Sequence, residues 1–349
     1  MKEIKIGNRI VKEYSAPFVI AEVGANFNGD LEIAKDMIRK AKEVGIDCVK
    51  FQCWSKDNIV VASAWKDKKA SMKAFGHSRE DELLDYLSLD HDGHREMAAF
   101  CKKQEIMFSS TPTSFVDVDF LDELDVPFYK IASMDLDHLS FLEYVGKKGR
   151  PIIISSGIGT VQEIALALET IKKTGNEDII LLHCTSLYPP HENEVNLNNI
   201  DFLRDVFDVQ VGYSDHTIGY SIPLASVAKG VSVIEKHFTL DKAMEGWDHA
   251  VSATLEEFEI IVKESRRVCD ALGNKERKLS ERELDNKVNF RRSIVAGRNL
   301  QKGTTLKFED LGFKRPGSGL SPNQYEKLIG RTLTQDMAKD DQFNLGCFD

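Results

Sequence analysis

Residues 18–29 read Phe18-Val19-Ile20-Ala21-Glu22-Val23-Gly24-Ala25-Asn26-Phe27-Asn28-Gly29. An apolar, strand-forming run ends here in a carboxylate and a turn. The turn is not the closely spaced glycine loop that a doubly wound nucleotide-binding sheet carries after its first strand. A stretch of helical period (31–44) follows, and the unit then repeats. After the first strand at 18–23, further strands are expected at 48–52, 107–109, 128–131, 152–155, 179–183, 209–212 and 231–236. Helical periods fall between them, at 92–104, 116–124, 161–173, 222–228 and 255–272. Eight strand–helix units in about 255 residues fit a closed (β/α)8 TIM barrel better than an open sheet.

Residues 2–14 alternate in polarity around Gly7-Asn8 and read as a hairpin ahead of the barrel. Roughly forty charge-rich residues separate Gln52 from Asp92, and a long insertion after a barrel strand usually sits on the catalytic face. Residues 274–288 are almost all polar and read as a charged linker. After it the texture becomes short strands and glycine turns. The expected organisation is a catalytic barrel over 1–273, a linker over 274–288 and a small β-rich domain over 289–349.

Apolar residues make up 42% of the 349, enough for a real core, and the net charge is −10. A nucleic-acid partner would need a basic face, so none is expected. The six cysteines are scattered without a paired motif, which suits a reducing, cytoplasmic setting. No apolar run approaches the length of a membrane span, and no membrane association is expected.

In a barrel of this kind the active site lies at the C-terminal ends of the strands. In this sequence every such end is polar. The first ends in Glu22, the second in Lys50-Phe51-Gln52, and the third in Ser109-Ser110-Thr111. The fourth carries Lys130 and Ser133 with Asp135 just beyond, and the fifth ends in Ser155. The sixth leads into Ser186 and Tyr188, the seventh into Ser214 and His216, and the eighth ends in Glu235-Lys236-His237. Lys50 and Lys130 on apolar strands need anions, and the hydroxyls beside them supply donors, so together they suit a phosphate and carboxylate cradle. The alternatives are internal ion pairs with Glu22 or Asp135, or a lysine that attacks a carbonyl. His216 and His237 close adjacent strands and could share one Mn, Zn, Fe or Co ion, or act as acid–base groups. Asp248, in a loop past the last strand, is a candidate for a sugar hydroxyl or a solvated acid. Arg315, in a basic Gly/Pro loop, is a rigid finger or a surface turn.

The stretches Ala21-Glu22-Val23-Gly24-Ala25-Asn26, Lys50-Phe51-Gln52, Tyr129-Lys130-Ile131-Ala132-Ser133, His183-Cys184-Thr185-Ser186-Leu187-Tyr188-Pro189, Gly212-Tyr213-Ser214-Asp215-His216-Thr217, Ile234-Glu235-Lys236-His237-Phe238-Thr239 and Lys314-Arg315-Pro316-Gly317 resemble, in this order, the sialic acid synthase family with its legionaminic, pseudaminic and spore-coat relatives. The resemblance spans nearly the whole chain, and its C-terminal part looks like the antifreeze-protein-like (SAF) domain of that family. It implies a synthase that condenses phosphoenolpyruvate with N-acetylmannosamine or a related N-acyl hexosamine, giving N-acetylneuraminate or a similar acid plus phosphate. The alternatives are a legionaminic or pseudaminic acid synthase using a diacetamido-dideoxy hexose, another phosphoenolpyruvate–aldose condensing enzyme, and a non-catalytic sugar-binding protein. It also implies that Lys50, Thr111, Lys130, Ser133, Ser155, Ser186 and Ser214 hold phosphoenolpyruvate. His216 and His237 would bind a divalent metal, typically manganese, with magnesium or cobalt as substitutes. Glu22, Gln52, Tyr188 and Asp248 would face the sugar or the reacting carbons. Arg315 would reach the partner's barrel in a domain-swapped homodimer. Phe27, Asp135 and Trp247 depart from the common family pattern, and all three are expected near the sugar.

Overall fold

The computed structural model describes residues 2–55, 87–274 and 276–348. Most of the insertion expected on the catalytic face, residues 56–86, lies outside them. The chain forms two compact units, Met1–Gly273 and Asn274–Asp349.

The first unit begins with the hairpin β1 (Ile4–Ile6) and β2 (Arg9–Val11), whose two-residue turn is Gly7-Asn8. Eight parallel strands follow: β3 (Phe18–Glu22), β4 (Cys48–Cys53), β5 (Met107–Pro112), β6 (Tyr129–Ile131), β7 (Ile152–Ser155), β8 (Ile179–Cys184), β9 (Gln210–Asp215) and β10 (Val233–His237). Their order in the sheet is β5-β4-β3-β10-β9-β8-β7-β6. The two ends, β5 and β6, are consecutive in the chain, and Ser109 Oγ on β5 donates to the carbonyl of Phe128 at 3.1 Å, so the sheet closes as a (β/α)8 barrel. At their C-terminal ends β5 and β9 run three residues further than the expected strands, and β4, β8 and β10 one. Polar residues that read as the start of a loop still belong to the ladder.

Helices cover the outside: α1 (Leu31–Glu43), α2 (His91–Gln104), α3 (Phe115–Glu123), α4 (Leu139–Lys147), α5 (Val161–Lys173), α6 (Glu192–Val195), α7 (Asn199–Phe207), α8 (Ser221–Ala228) and α9 (Leu255–Leu272). Their starts and buried faces follow from sequence. Asp30 caps α1, and Ala34, Met37, Ile38 and Ala41 form its inward stripe. Thr160 with Glu163 and Thr254 with Glu257 make reciprocal capping boxes for α5 and α9. No helix of the described residues is long and apolar enough to cross a membrane.

Strand alternation sorts the barrel residues into two sets. Val19, Ala21, Val49, Phe51, Val211, Tyr213 and Ile234 join the core between sheet and helices. Phe18, Ile20, Cys48, Phe128, Ile153, Ile180, Leu182 and Val233 join an inner cluster with Ile4, Ile6 and Val11 of the hairpin, which therefore floors the barrel. Continuing the inner series by two residues reaches Glu22, Lys50, Lys130, Ser155, Cys184 and Glu235. Continuing the outer series reaches Asp215 and Lys236. These two are fully buried, aligned in register and paired to each other, and Asp215 also accepts from Tyr213 Oη at 2.9 Å.

The second unit starts with α10 (Glu281–Phe290), capped by Ser280 and Glu283, so the charged stretch that reads as a linker contains a helix. Alternating acids and bases obscure its period, and none of its residues is buried. β11 (Ser293–Ala296) pairs antiparallel with β12 (Leu311–Lys314) over a small core that includes Ile294, Leu306, Leu333 and Phe343.

Asp215→Ala leaves the Lys236 ammonium buried without its carboxylate. It is expected to cost about 3–5 kcal/mol of stability, read from denaturant unfolding. A loss under 1 kcal/mol would show that this pair does not hold the outer layer.

Candidate active site

The inner polar row sits directly above the apolar floor. Glu22 and Lys50 are register partners on adjacent strands, and their side chains form a buried ion pair. Lys50 Nζ also donates to Thr111 Oγ1 at 2.9 Å, and Gln52 Nε2 donates to Glu22 Oε1 at 2.8 Å. From across the barrel Lys130 Nζ lies 3.3 Å from Glu235 Oε1, and Lys50 Nζ lies 3.9 Å from Glu235 Oε2. Ser214, the register partner of Glu235, donates to its Oε1 at 3.1 Å. Two lysines and two carboxylates thus form one buried network.

The two acids are driven apart. Burial raises the Glu22 carboxyl above the usual range despite the opposing pull of Lys50, and the Glu235 charge adds to the rise. Glu235 also suffers burial, but Lys130 and Lys50 overcome it and hold its carboxyl down at about 2. Glu235 is therefore the fixed anion, and Glu22 is the group whose proton can move. Burial acts to lower the Lys50 ammonium, but Glu22 and Glu235 outweigh it and the net shift is upward. A lysine held protonated is a poor carbonyl nucleophile, which argues against the attacking-lysine alternative. Internal ion pairing is present between Lys50 and Glu22, with a correction: the partner of Lys130 is Glu235, not Glu22 or Asp135. In the sequence Glu235 stands at a strand end with nothing beside it to mark a role. Two lysines facing one chamber were the signal that a shared acid should exist.

At the rim, His216 Nδ1 donates to the Thr185 carbonyl at 2.9 Å, which leaves Nε2 with its lone pair. The His216 and His237 ring centroids are 5.5 Å apart. Burial lowers the pKa of His216 and takes His237 to about 4, where Asp248, 3.6 Å from His237 Nδ1, opposes the shift. Two neutral imidazoles with a carboxylate beside one of them match the donor chemistry of a divalent metal. Tyr188 covers the pair, its ring 4.0 Å from that of His216 and 5.8 Å from that of His237.

Ser133 Oγ and Ser186 Oγ lie 3.4 Å apart. Gly157 keeps this corner open, since a Cβ there would come within 2.2 Å of Ser133 Oγ. Ser155 is buried at the C-terminal end of β7. Asp135 occupies the short 3-10 turn after Ser133, half-buried, with its carboxyl raised by burial. Phe27 is corrected. Its ring is buried in the layer between barrel and helices, 6.2 Å from Phe51, and does not face the mouth. The turn after β3 returns it to the core, a reversal that strand alternation cannot foresee. Trp247 is exposed. Arg315 belongs to the second unit, where its guanidinium lies 5.2 Å from the Phe290 ring centroid.

A family model described as the NeuB family matches residues 37–277, and one described as a SAF domain matches 291–344. The chain belongs to the NeuB family. Among relatives, an uncharacterized protein of Methanocaldococcus jannaschii is 42% identical over 341 residues, covering 98% of this chain and 97% of that one. The N,N'-diacetyllegionaminic acid synthase of Campylobacter jejuni is 38% identical over 325 residues, covering 93% and 97%. The N-acetylneuraminate-9-phosphate synthase of Homo sapiens is 35% identical over 326 residues, covering 93% and 90%. The crystal structure of an N-acetylneuraminic acid synthetase from Leptospira borgpetersenii superposes with a TM-score of 0.72 at 32% identity, covering 82% of this chain and 95% of that one.

Glu235→Gln removes the common counter-charge of Lys50 and Lys130 and should destabilise this NeuB-family chain by about 3 kcal/mol or more. Inorganic phosphate, offering an anion in place of the lost carboxylate, should raise the melting temperature of the variant more than that of the wild type. Equal phosphate effects on both proteins would count against an oxyanion cradle.

Proposed function

We propose that the chain is a nonulosonic acid synthase, condensing phosphoenolpyruvate with the open-chain aldehyde of an N-acyl hexosamine and releasing phosphate. The observation that carries this reading is the Lys50–Glu235–Lys130 network, ringed by Thr111, Ser133, Ser186 and Ser214, beside two neutral histidines at one barrel mouth. The lysines and hydroxyls bind the phosphate and carboxylate by charge-assisted hydrogen bonds. Carbon 3 of the enol phosphate attacks the aldehyde, positive charge develops at carbon 2, and water adds there. The tetrahedral intermediate then loses phosphate, whose charge the lysines stabilise. Glu22, with its raised carboxyl pKa and its Gln52 partner, orients that water and takes its proton. His216 and His237 hold a divalent ion, manganese by preference, which supplies Lewis acidity toward the aldehyde oxygen. Asp248 and Tyr188 border the acceptor, and Arg315 contributes from a partner subunit.

N-acetylmannosamine is the first acceptor to test. A diacetamido-dideoxy hexose is the second reading, favoured by the 38% identity to a diacetyllegionaminic acid synthase. Phosphate release from phosphoenolpyruvate is measured with manganese and each sugar, and products are identified by mass spectrometry. Turnover should appear with one of them and vanish in excess chelator while the circular dichroism spectrum is unchanged. No phosphate release with any N-acyl hexosamine would refute the reading. Undiminished turnover in metal-free protein would refute the role of the two histidines.

The contribution of Arg315 in trans has its own test. Arg315→Ala and His237→Ala homodimers should each be nearly inactive. Exchanged to completion they should recover roughly a quarter of wild-type activity, because half the two-fold dimers are mixed and each carries one whole site. No recovery after demonstrated exchange would place the residue in cis or outside the site.

A further inference from the structure

Among the described residues, one group of three metal-competent side chains lies together: Cys53, His91 and Asp117, with ligand atoms all within 4.8 Å of one another. It is separate from the barrel mouth. Cys53 is the last residue of β4 and belongs to the outer set, the opposite face from Lys50 and Gln52. His91 opens α2, and Asp117 sits in the first turn of α3.

We infer that Cys53, His91 and Asp117 form a second metal site on the outer wall of the barrel, of the zinc class, which ties together the two ends of the connection 54–90. This site stands on its own geometry and does not depend on the reaction proposed above.

A tetrahedral ion bonded at about 2.3 Å to sulfur and about 2.0 Å to nitrogen and oxygen spaces its ligand atoms roughly 3.3–3.6 Å apart. Here Cys53 Sγ is 3.5 Å and His91 Nε2 is 3.3 Å from the same oxygen, Asp117 Oδ1. Two of the three edges of a ligand face already have the required length. The other carboxylate oxygen, Oδ2, is engaged by Ser114 Oγ at 2.7 Å and Thr113 Oγ1 at 3.3 Å, which aims Oδ1 at the cysteine and histidine. The His91 ring lies flat on Phe120, with centroids 3.8 Å apart and planes 9° apart, which limits its rotation. Ligands and supporting contacts of this kind are the two shells a metal site needs.

The donor set decides the class of ion. A thiolate, an imidazole and one carboxylate favour Zn2+ or Co2+ over Mg2+ or Mn2+. Burial, and then the Asp117 charge, push the Cys53 thiol up, so without an ion the sulfur keeps its proton and faces Asp117. Binding replaces that proton, which passes to solvent, and water completes the coordination. His91 is 39% exposed and provides the way in. Cys53 adjoins Gln52 on β4, so an ion held by Cys53 steadies one wall of the mouth.

The test uses the full chain, stripped by chelation and titrated with Co2+. A thiolate-to-cobalt charge-transfer band should grow with added Co2+ to the intensity of one thiolate–cobalt bond, saturating at one equivalent where the two mouth histidines are replaced. Cys53→Ser should abolish it. Cys184→Ser should keep it, although Cys184 Sγ is 4.0 Å from His216 Nδ1, and so should the His216→Ala/His237→Ala double variant. His91→Ala, at a part-exposed position, should fold normally and bind Co2+ at least tenfold more weakly. Should Cys53→Ser fail to fold, His91→Ala decides alone. No band in folded wild-type protein, a band that survives Cys53→Ser, or unchanged affinity in His91→Ala would each overturn the site.

Discussion

Glu235 between Lys50 and Lys130 is the interaction on which the interior depends. Removing two ammonium groups from water costs several kcal/mol each, and a single carboxylate placed within reach of both offsets much of it. That placement needs β10 to face β4 and β6 across a closed barrel, so the charge network and barrel closure require each other. Ser214 donates to the same carboxylate from the adjacent strand, and Glu22 balances Lys50 from the other side. The apolar layer beneath keeps water from the underside of the network and so strengthens every contact in it.

The same residue types take different work one position along the strand. Lys236 and Asp215 are as buried as Lys50 and Glu22, yet they lie on the outer face and bind only each other, Tyr213 and nearby backbone. Lys50 and Glu22 face a chamber and keep partners that a ligand can share. Alternation, more than residue identity, separates an ion pair sealed between sheet and helices from one that faces the barrel interior. It also allows β4 to offer Lys50 and Gln52 to the mouth while Cys53 turns toward α2 and α3.

Much of this is legible in the sequence alone. The helices at 161–173 and 255–272 and the strand at 152–155 carry their caps and apolar periods in plain view. Lysines and histidines at the ends of apolar strands stand out because nothing in a core calls for them. What was hidden depends on contacts between distant parts of the chain. No sequence rule says that Lys130 meets an acid four strands away in the sheet, when Asp135 lies five residues along. Phe27 reads as a loop aromatic until the turn folds it onto Phe51. The helix in the charged stretch at 274–288 is exposed on every side, so it lacks the apolar stripe that reveals the others. Cys53, His91 and Asp117 are likewise separated by a long connection, and only the fold makes them neighbours.

The hairpin that floors the barrel has a consequence for traffic. Ile4, Ile6 and Val11 seal the end opposite the polar row, so the chamber is a dead end. Among the described residues, His216, His237 and Tyr188 stand at the open end above Lys50 and Lys130, so entry and exit share that rim. A molecule resting on the rim corks any molecule below it. In the condensation proposed above, two reactants would therefore load in a fixed sequence, the deeper anion first, and anything released at depth would wait until the rim clears. A barrel open at both ends would impose no such queue.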